Sequence, residues 1–110
     1  MNKIPMSRAA ARLLSALLDR AGADRNRVLL SEVHSCDWQS LTLTGERHVI
    51  LLRVAGPQSE PIIRALTDGI EDADFVVPGQ IVADIAVMGE PLCAEVGSLS
   101  VSIEALTIAE

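Results

Sequence analysis

The segment from Ser98 to Ala105 alternates strictly between polar and apolar side chains. Its apolar members are Leu99, Val101, Ile103 and Ala105, and its polar members are Ser98, Ser100, Ser102 and Glu104. A period of two residues is typical of a β-strand with one buried and one solvated face. A strand of this kind needs a second layer against its apolar side, so the chain must build at least two layers. Beyond Glu104 the polar row continues as Leu106 and Ile108, so either a bulge reverses the faces or something covers that end.

Two other segments show helical spacing. The first helix is predicted over 7–21, with Ser7 as its N-cap and Gly22 at its end. The second follows Gly56-Pro57 and ends near Gly69. Their predicted buried positions are Leu13, Leu14, Leu17 and Leu18 in the first, and Ile62, Ile63, Leu66 and Ile70 in the second. Each stripe is apolar on one side, so each helix should cover the sheet.

Three further strands are predicted from β-branched and apolar runs. A hairpin turn at Thr44–Arg47 joins a first strand, irregular near Cys36, to a second strand over 47–54. The second strand is apolar on both faces from Val49 to Leu52. A type II turn over 77–80 precedes a third strand at 81–88, and a loop over 89–97 leads to the last one.

The element order is therefore α-β-β-α-β-β, which predicts a single α+β domain over residues 1–110. Right-handed crossover and hairpin connections favour a four-stranded antiparallel sheet in the order 1-2-4-3, with both helices on one face. In topology this two-layer sandwich resembles a circularly permuted ferredoxin-like fold. A fold of this kind does not by itself indicate a function.

Charge and composition exclude some partners. The formal net charge is −6, and there are only one Trp and one Phe, so neither phosphate attraction nor base stacking favours nucleic acid. Six of the nine basic residues lie in the first 27 positions, which hold only two of the fifteen acidic ones. This segment is either an interaction arm or, as we expect, a helix packed on its own acidic body.

A cytoplasmic location is expected. No segment approaches the roughly 20 apolar residues that a membrane span needs, and the run from Leu13 to Leu18 is too short for a signal peptide. No membrane partner is therefore expected, and Cys36 and Cys93 are expected to be reduced.

The densest polar chemistry is His34-Ser35-Cys36-Asp37. His34 and Cys36 share a strand face, and imidazole with thiolate is a ligand pair that zinc prefers. The same residues can instead form a nucleophilic Cys–His pair oriented by Asp37. With a turn at 44–47, His48 lies opposite Leu43 and too far away to serve as a third ligand.

The sequence holds no glycine-rich phosphate loop and no catalytic or metal-binding motif of established pattern, so no cofactor is expected. The function expected is a homodimeric binding or assembly module without catalytic activity. Its interface would use the open sheet face through Ile50, Leu52, Leu106 and Ile108. The alternative is a small enzyme or zinc-binding protein that uses His34, Cys36 and Asp37.

Overall fold

The computed structural model describes residues 5–22, 25–93 and 97–110, and within these ranges it contains two α-helices and five strands. In chain order they are α1 (Arg8–Ala21), β1 (Val28–Gln39), β2 (Thr44–Val54), α2 (Ser59–Thr67), β3 (Gln80–Val87), β4 (Leu92–Cys93) and β5 (Leu99–Ala109). The predicted α+β class is confirmed. The predicted count of four strands is wrong, because the segment predicted as a loop over 89–97 contains the short strand β4. Residues 94–96 of that segment lie outside the described residues.

The ends of α1 follow from its capping residues. Ser7 Oγ accepts a hydrogen bond from the Ala10 N–H at 3.1 Å, and Gly22 ends the helix in the left-handed region at φ 62°. Both features match the sequence prediction. A 3₁₀ turn, Ile70–Asp72, follows α2 after Gly69. In the described part of the chain, no helix combines the length and apolar character that a bilayer crossing requires.

The sheet has the order β1-β2-β5-β3, and every neighbouring pair is antiparallel. The short strand β4 also pairs with β5, at Leu92 and Cys93. Because β2 and β3 flank β5, they run parallel to each other, as the crossover through α2 requires. The four long strands thus have the predicted relative order, and β1 forms one edge of the sheet.

Both helices pack on the same side of this sheet, which we call the helix side. One continuous core cluster joins the leucines of α1, the apolar residues of α2 and alternate residues of the strands, among them Leu13, Leu17, Ile63, Leu66, Ile50, Leu52, Val101, Ile103 and Ile85. The opposite surface of the sheet is called the open face. No described helix covers it.

The turn between β1 and β2 lies four residues earlier than predicted. The Ser40 N–H donates to the Leu43 carbonyl at 2.9 Å, and Ser40 Oγ accepts from the Leu43 N–H at 3.2 Å. The bulge in β1 falls between Leu30 and Glu32 rather than near Cys36. Gly45, predicted as a turn residue, therefore lies inside β2. The type II turn before β3 is confirmed, since the Gln80 N–H donates to the Val77 carbonyl and Gly79 has φ 78°.

Four of the six basic residues of the N-terminal segment, Arg12, Arg20, Arg25 and Arg27, hydrogen-bond to their own chain. Arg12 donates to the Pro78 carbonyl at 2.8 Å, and Arg20 donates to the Asp68 carbonyl. Arg25 forms an ion pair with Asp19 at 2.6 Å, although both side chains are largely exposed. These contacts favour the interpretation of a helix packed on its own body over that of a free arm.

Candidate functional site

The structure separates the three residues of the predicted polar site. His34 pairs with Val49 and Cys36 with Arg47, which places both on the open face, where they are exposed. Asp37 pairs with Glu46 on the helix side. Successive strand residues point to opposite faces, so Asp37 is not placed to orient His34 toward Cys36.

Metal binding by His34 and Cys36 would lack a third protein ligand within the described residues. Within the described residues, no group of three or more His, Cys, Asp or Glu side chains is placed to hold a metal ion. His48 pairs with Ser35 and so lies on the face opposite to His34 and Cys36. The two cysteines, Cys36 and Cys93, are both free and exposed.

Two of the four predicted interface residues lie in the core. Ile50 and Leu52 are 1% and 0% exposed and pack under the helices. This correction follows from alternation, because Val49 and Leu51 are the residues of β2 that point to the open face. Leu106 and Ile108 do lie on the open face, since β5 pairs with β2 without interruption from Leu99 to Ile108. No bulge at Glu104 turns them inward.

A buried histidine links three strands on the helix side. His48 in β2 is wholly buried, and its two ring nitrogens have different partners. Nδ1 lies 2.7 Å from Ser35 Oγ in β1, and Nε2 lies 2.8 Å from Thr107 Oγ1 in β5. Ser35 is exposed, whereas Thr107 is wholly buried. The arrangement is therefore a hydrogen-bonded chain that runs from the surface into the protein.

The environment of His48 favours its neutral form. Burial lowers the pKa of His48 below its usual value of 6.5, and the nearby Glu46 carboxylate opposes that shift. Glu46 Oε2 lies 4.0 Å from Nδ1. A neutral imidazole has one donor and one acceptor nitrogen, which suits a hydroxyl on each side. In the described residues, every buried side-chain nitrogen or oxygen has a hydrogen-bond partner.

A cleft of about 510 Å³ opens at the edge of β1, over Ser35. Its lining includes Ser35, Asp37 and Glu46 from the sheet and Met6 and Ser7 from the segment before α1. The hydrogen-bonded series from Thr107 through His48 to Ser35 reaches the surface at this cleft. We therefore regard Ser35, His48 and Thr107 as the candidate chemical site of the protein.

The sequence alone does not reveal this site, because the site depends on register across three strands. In the sequence His48 is a candidate only as a metal ligand, and the misplaced turn puts it opposite Leu43. Ser40 offers the one available signal, because a serine that starts a turn can accept from the N–H at its end. That signal would have placed Ser35 opposite His48.

Comparison with known proteins identifies no relative: no protein-family model, no curated protein and no solved structure matches the chain.

Proposed function

We propose that the protein is a self-associating module whose open sheet faces meet in a homodimer. The observation that carries this proposal is the apolar character of the open face. Half of the large hydrophobic side chains that are exposed in the described residues belong to it, namely Leu29, Ile81, Met88 and Leu92. Exposed apolar patches of this kind mark interaction surfaces.

The centre of the open face is also apolar. Val49 and Leu51 of β2 and Leu106 of β5 are only partly buried there. Ile108 is 7% exposed, yet it is not part of the core cluster under the helices. Its register partners are Gly45 on one side and Ile81 on the other. A solvated antiparallel face is normally polar along most of each strand, whereas on this face apolar residues alternate with the polar ones.

The face has the size and charge pattern that a second copy of the chain would fit. Four strands of the observed lengths span roughly 19 Å by 30 Å, so two copies would bury roughly 1,100 Å² in total, just above the lower limit for specific interfaces. Charges of both signs are present, including an ion pair between Arg47 and Glu104 at 3.4 Å. A twofold axis lets such a mixed surface meet itself.

Sedimentation velocity with an exposed-residue variant tests the proposal. Ile81→Asp should convert a wild-type dimer into monomer, because it places a carboxylate in the buried interface. Ile81 is 54% exposed in the single chain, so the substitution should leave folding intact, as circular dichroism would verify. Leu41→Asp, in the exposed hairpin loop, is the matched control and should remain dimeric. A monomeric wild type at micromolar concentration would refute self-association.

Two finer expectations remain part of this proposal. The topology is proposed to be a circularly permuted ferredoxin-like sandwich that β4 extends. A cytoplasmic location is proposed because Cys36 and Cys93 are free thiols, which a reducing compartment preserves.

A further inference from the structure

We propose that Ser35 is a nucleophile for acyl transfer from carboxylic esters and that His48 is its general base. This inference is independent of self-association and rests on the chain of contacts from Ser35 through His48 to Thr107. A serine hydroxyl is a weak nucleophile unless a base within hydrogen-bond distance removes its proton. Ser35 Oγ lies 2.7 Å from Nδ1 of His48, which meets that requirement.

The base is itself held by a third group. Nε2 of His48 lies 2.8 Å from Thr107 Oγ1. When the Nε2–H donates to Thr107, Nδ1 carries the lone pair that accepts the Ser35 proton. A nucleophile that contacts a base, which in turn contacts an orienting group, is the arrangement typical of a covalent catalytic site. Glu46, 4.0 Å from Nδ1, adds a negative charge beside the imidazolium that forms during the reaction.

The backbone of β1 supplies donors at the same place. In an antiparallel ladder, residues alternate between positions bonded to the partner strand and positions that point away from it. The Ser40 N–H bonds to Leu43 across the hairpin, so Ser35, five residues earlier, belongs to the other class. Its N–H, like that of Asp37, points to the free edge of the sheet. The two N–H groups are about 6.6 Å apart, so one of them, not both, is available to the carbonyl oxygen of a substrate in the cleft.

Water is the second substrate, so the overall reaction is hydrolysis of the ester. Ser35 Oγ forms a bond to the acyl carbon, and its proton moves to Nδ1 of His48. The carbon–oxygen bond to the leaving alcohol breaks, and the alcohol leaves with that proton. Water then attacks the acyl-serine ester with His48 again as base, which releases the carboxylic acid and restores the Ser35 hydroxyl.

The lining of the cleft selects among esters. Asp37 and Glu46 place two carboxylates beside Ser35, and His34 is the third titratable group of the lining. Two carboxylates repel an anionic substrate. The expected substrates are therefore neutral or cationic esters.

Labelling with a neutral fluorophosphonate tests the nucleophile in the full chain. Peptide mass spectrometry should locate the adduct on Ser35, and Ser35→Ala should abolish it. Ser102→Ala, which removes a hydroxyl from the open face, should label like the wild type. The labelling rate should rise with pH and reach a plateau, with its midpoint below pH 6.5, because the neutral form of His48 is the base. His48→Gln should slow the reaction about 100-fold.

A second variant tests the same pair without substituting the buried histidine. In Ser35→Cys, the new thiol would take the place of the Ser35 hydroxyl beside Nδ1 of His48, whereas the natural cysteines, Cys36 and Cys93, are free and exposed. Iodoacetamide should alkylate position 35 at least about 10-fold faster than either natural cysteine at pH 6.5. Absence of a Ser35 adduct, or equal alkylation of all three thiols, would show that the Ser35–His48 bond only satisfies a buried imidazole. Either result would overturn the proposal.

Discussion

Gly45→Ala should destabilise the protein through a clash between two backbones. A Cβ atom built at Gly45 lies 2.0 Å from the Thr107 carbonyl oxygen and 3.1 Å from the Ile108 Cα, although real Cβ atoms essentially never approach a neighbour within 3.0 Å. The colliding atom belongs to β5, so no side-chain rotation can relieve the contact. The strands must separate by about 1 Å at this position, which is three residues before His48 in β2.

The expected loss of unfolding free energy in Gly45→Ala can be taken from the cost of overpacking a core. Inserting one methyl group into a tight site typically costs about 1–3 kcal/mol, and a backbone neighbour places Gly45→Ala at the upper end of that range. For 110 residues, each kcal/mol lowers the Tm by about 4 °C, so a fall of about 10 °C is expected. Urea unfolding followed by Trp38 fluorescence is a suitable assay, because Trp38 is the register partner of Gly45 and the only tryptophan.

Gly22→Ala is the control for this experiment. Gly22 has φ 62°, and no heavy atom lies within 4 Å of the position that an added methyl group would take, so its substitution tests backbone strain without a clash. That strain should cost about 1 kcal/mol. If Gly45→Ala is no more destabilising than Gly22→Ala at the same protein concentration, the close approach of β2 to β5 is refuted.

Three further outcomes are expected. Thr107→Val should cost about 1–3 kcal/mol in urea unfolding, because it leaves a buried His48 nitrogen without its partner, whereas Thr107→Ser, which keeps the hydroxyl, should cost less. The free energy of unfolding should fall as the pH drops below 6.5, because the pKa of His48 is lower in the folded chain and the unfolded chain therefore binds the proton more readily. Urea denaturation curves at several pH values should show a weaker pH dependence for His48→Gln than for the wild type. Ile81→Asp should leave the rate of Ser35 labelling unchanged, because the two side chains lie on opposite faces of the sheet; a parallel loss of labelling and association would contradict two separate sites.

The elements with local signals could be predicted from the sequence. Ser7 and Gly22 delimit α1 through their own chemistry, and Pro78-Gly79 sets the turn before β3 without reference to distant residues. The order of the long strands follows from the right-handed crossover through α2 and from the hairpin connections. The strand β4 could not be predicted in the same way, because two residues without alternation give no periodic signal.

The hairpin shows why local signals failed at the candidate site. Thr44-Gly45 resembles a turn, but the glycine is required where β2 approaches β5, a contact between residues that are far apart in sequence. The actual turn has Leu41 and Thr42 at its centre, both with negative φ, and so lacks the Asn-Gly or Asp-Gly that marks the commonest hairpin turns. A glycine that serves a tertiary contact therefore gives the same local signal as a glycine that serves a turn.

That single displacement decides which chemistry the strands bring together. Moving a hairpin turn by four residues moves each strand partner by eight, about 26 Å along the strand. His48 then faces Ser35 instead of Leu43, and a histidine without a role acquires a hydroxyl on one nitrogen. The second hydroxyl, Thr107, comes from β5, whose register with β2 is independent of the hairpin. A site assembled from three strands through two registers cannot be read from the spacing of residues along one strand. This is why the sequence indicates His34, Cys36 and Asp37, whereas Ser35 of the same polar run makes the contact with His48.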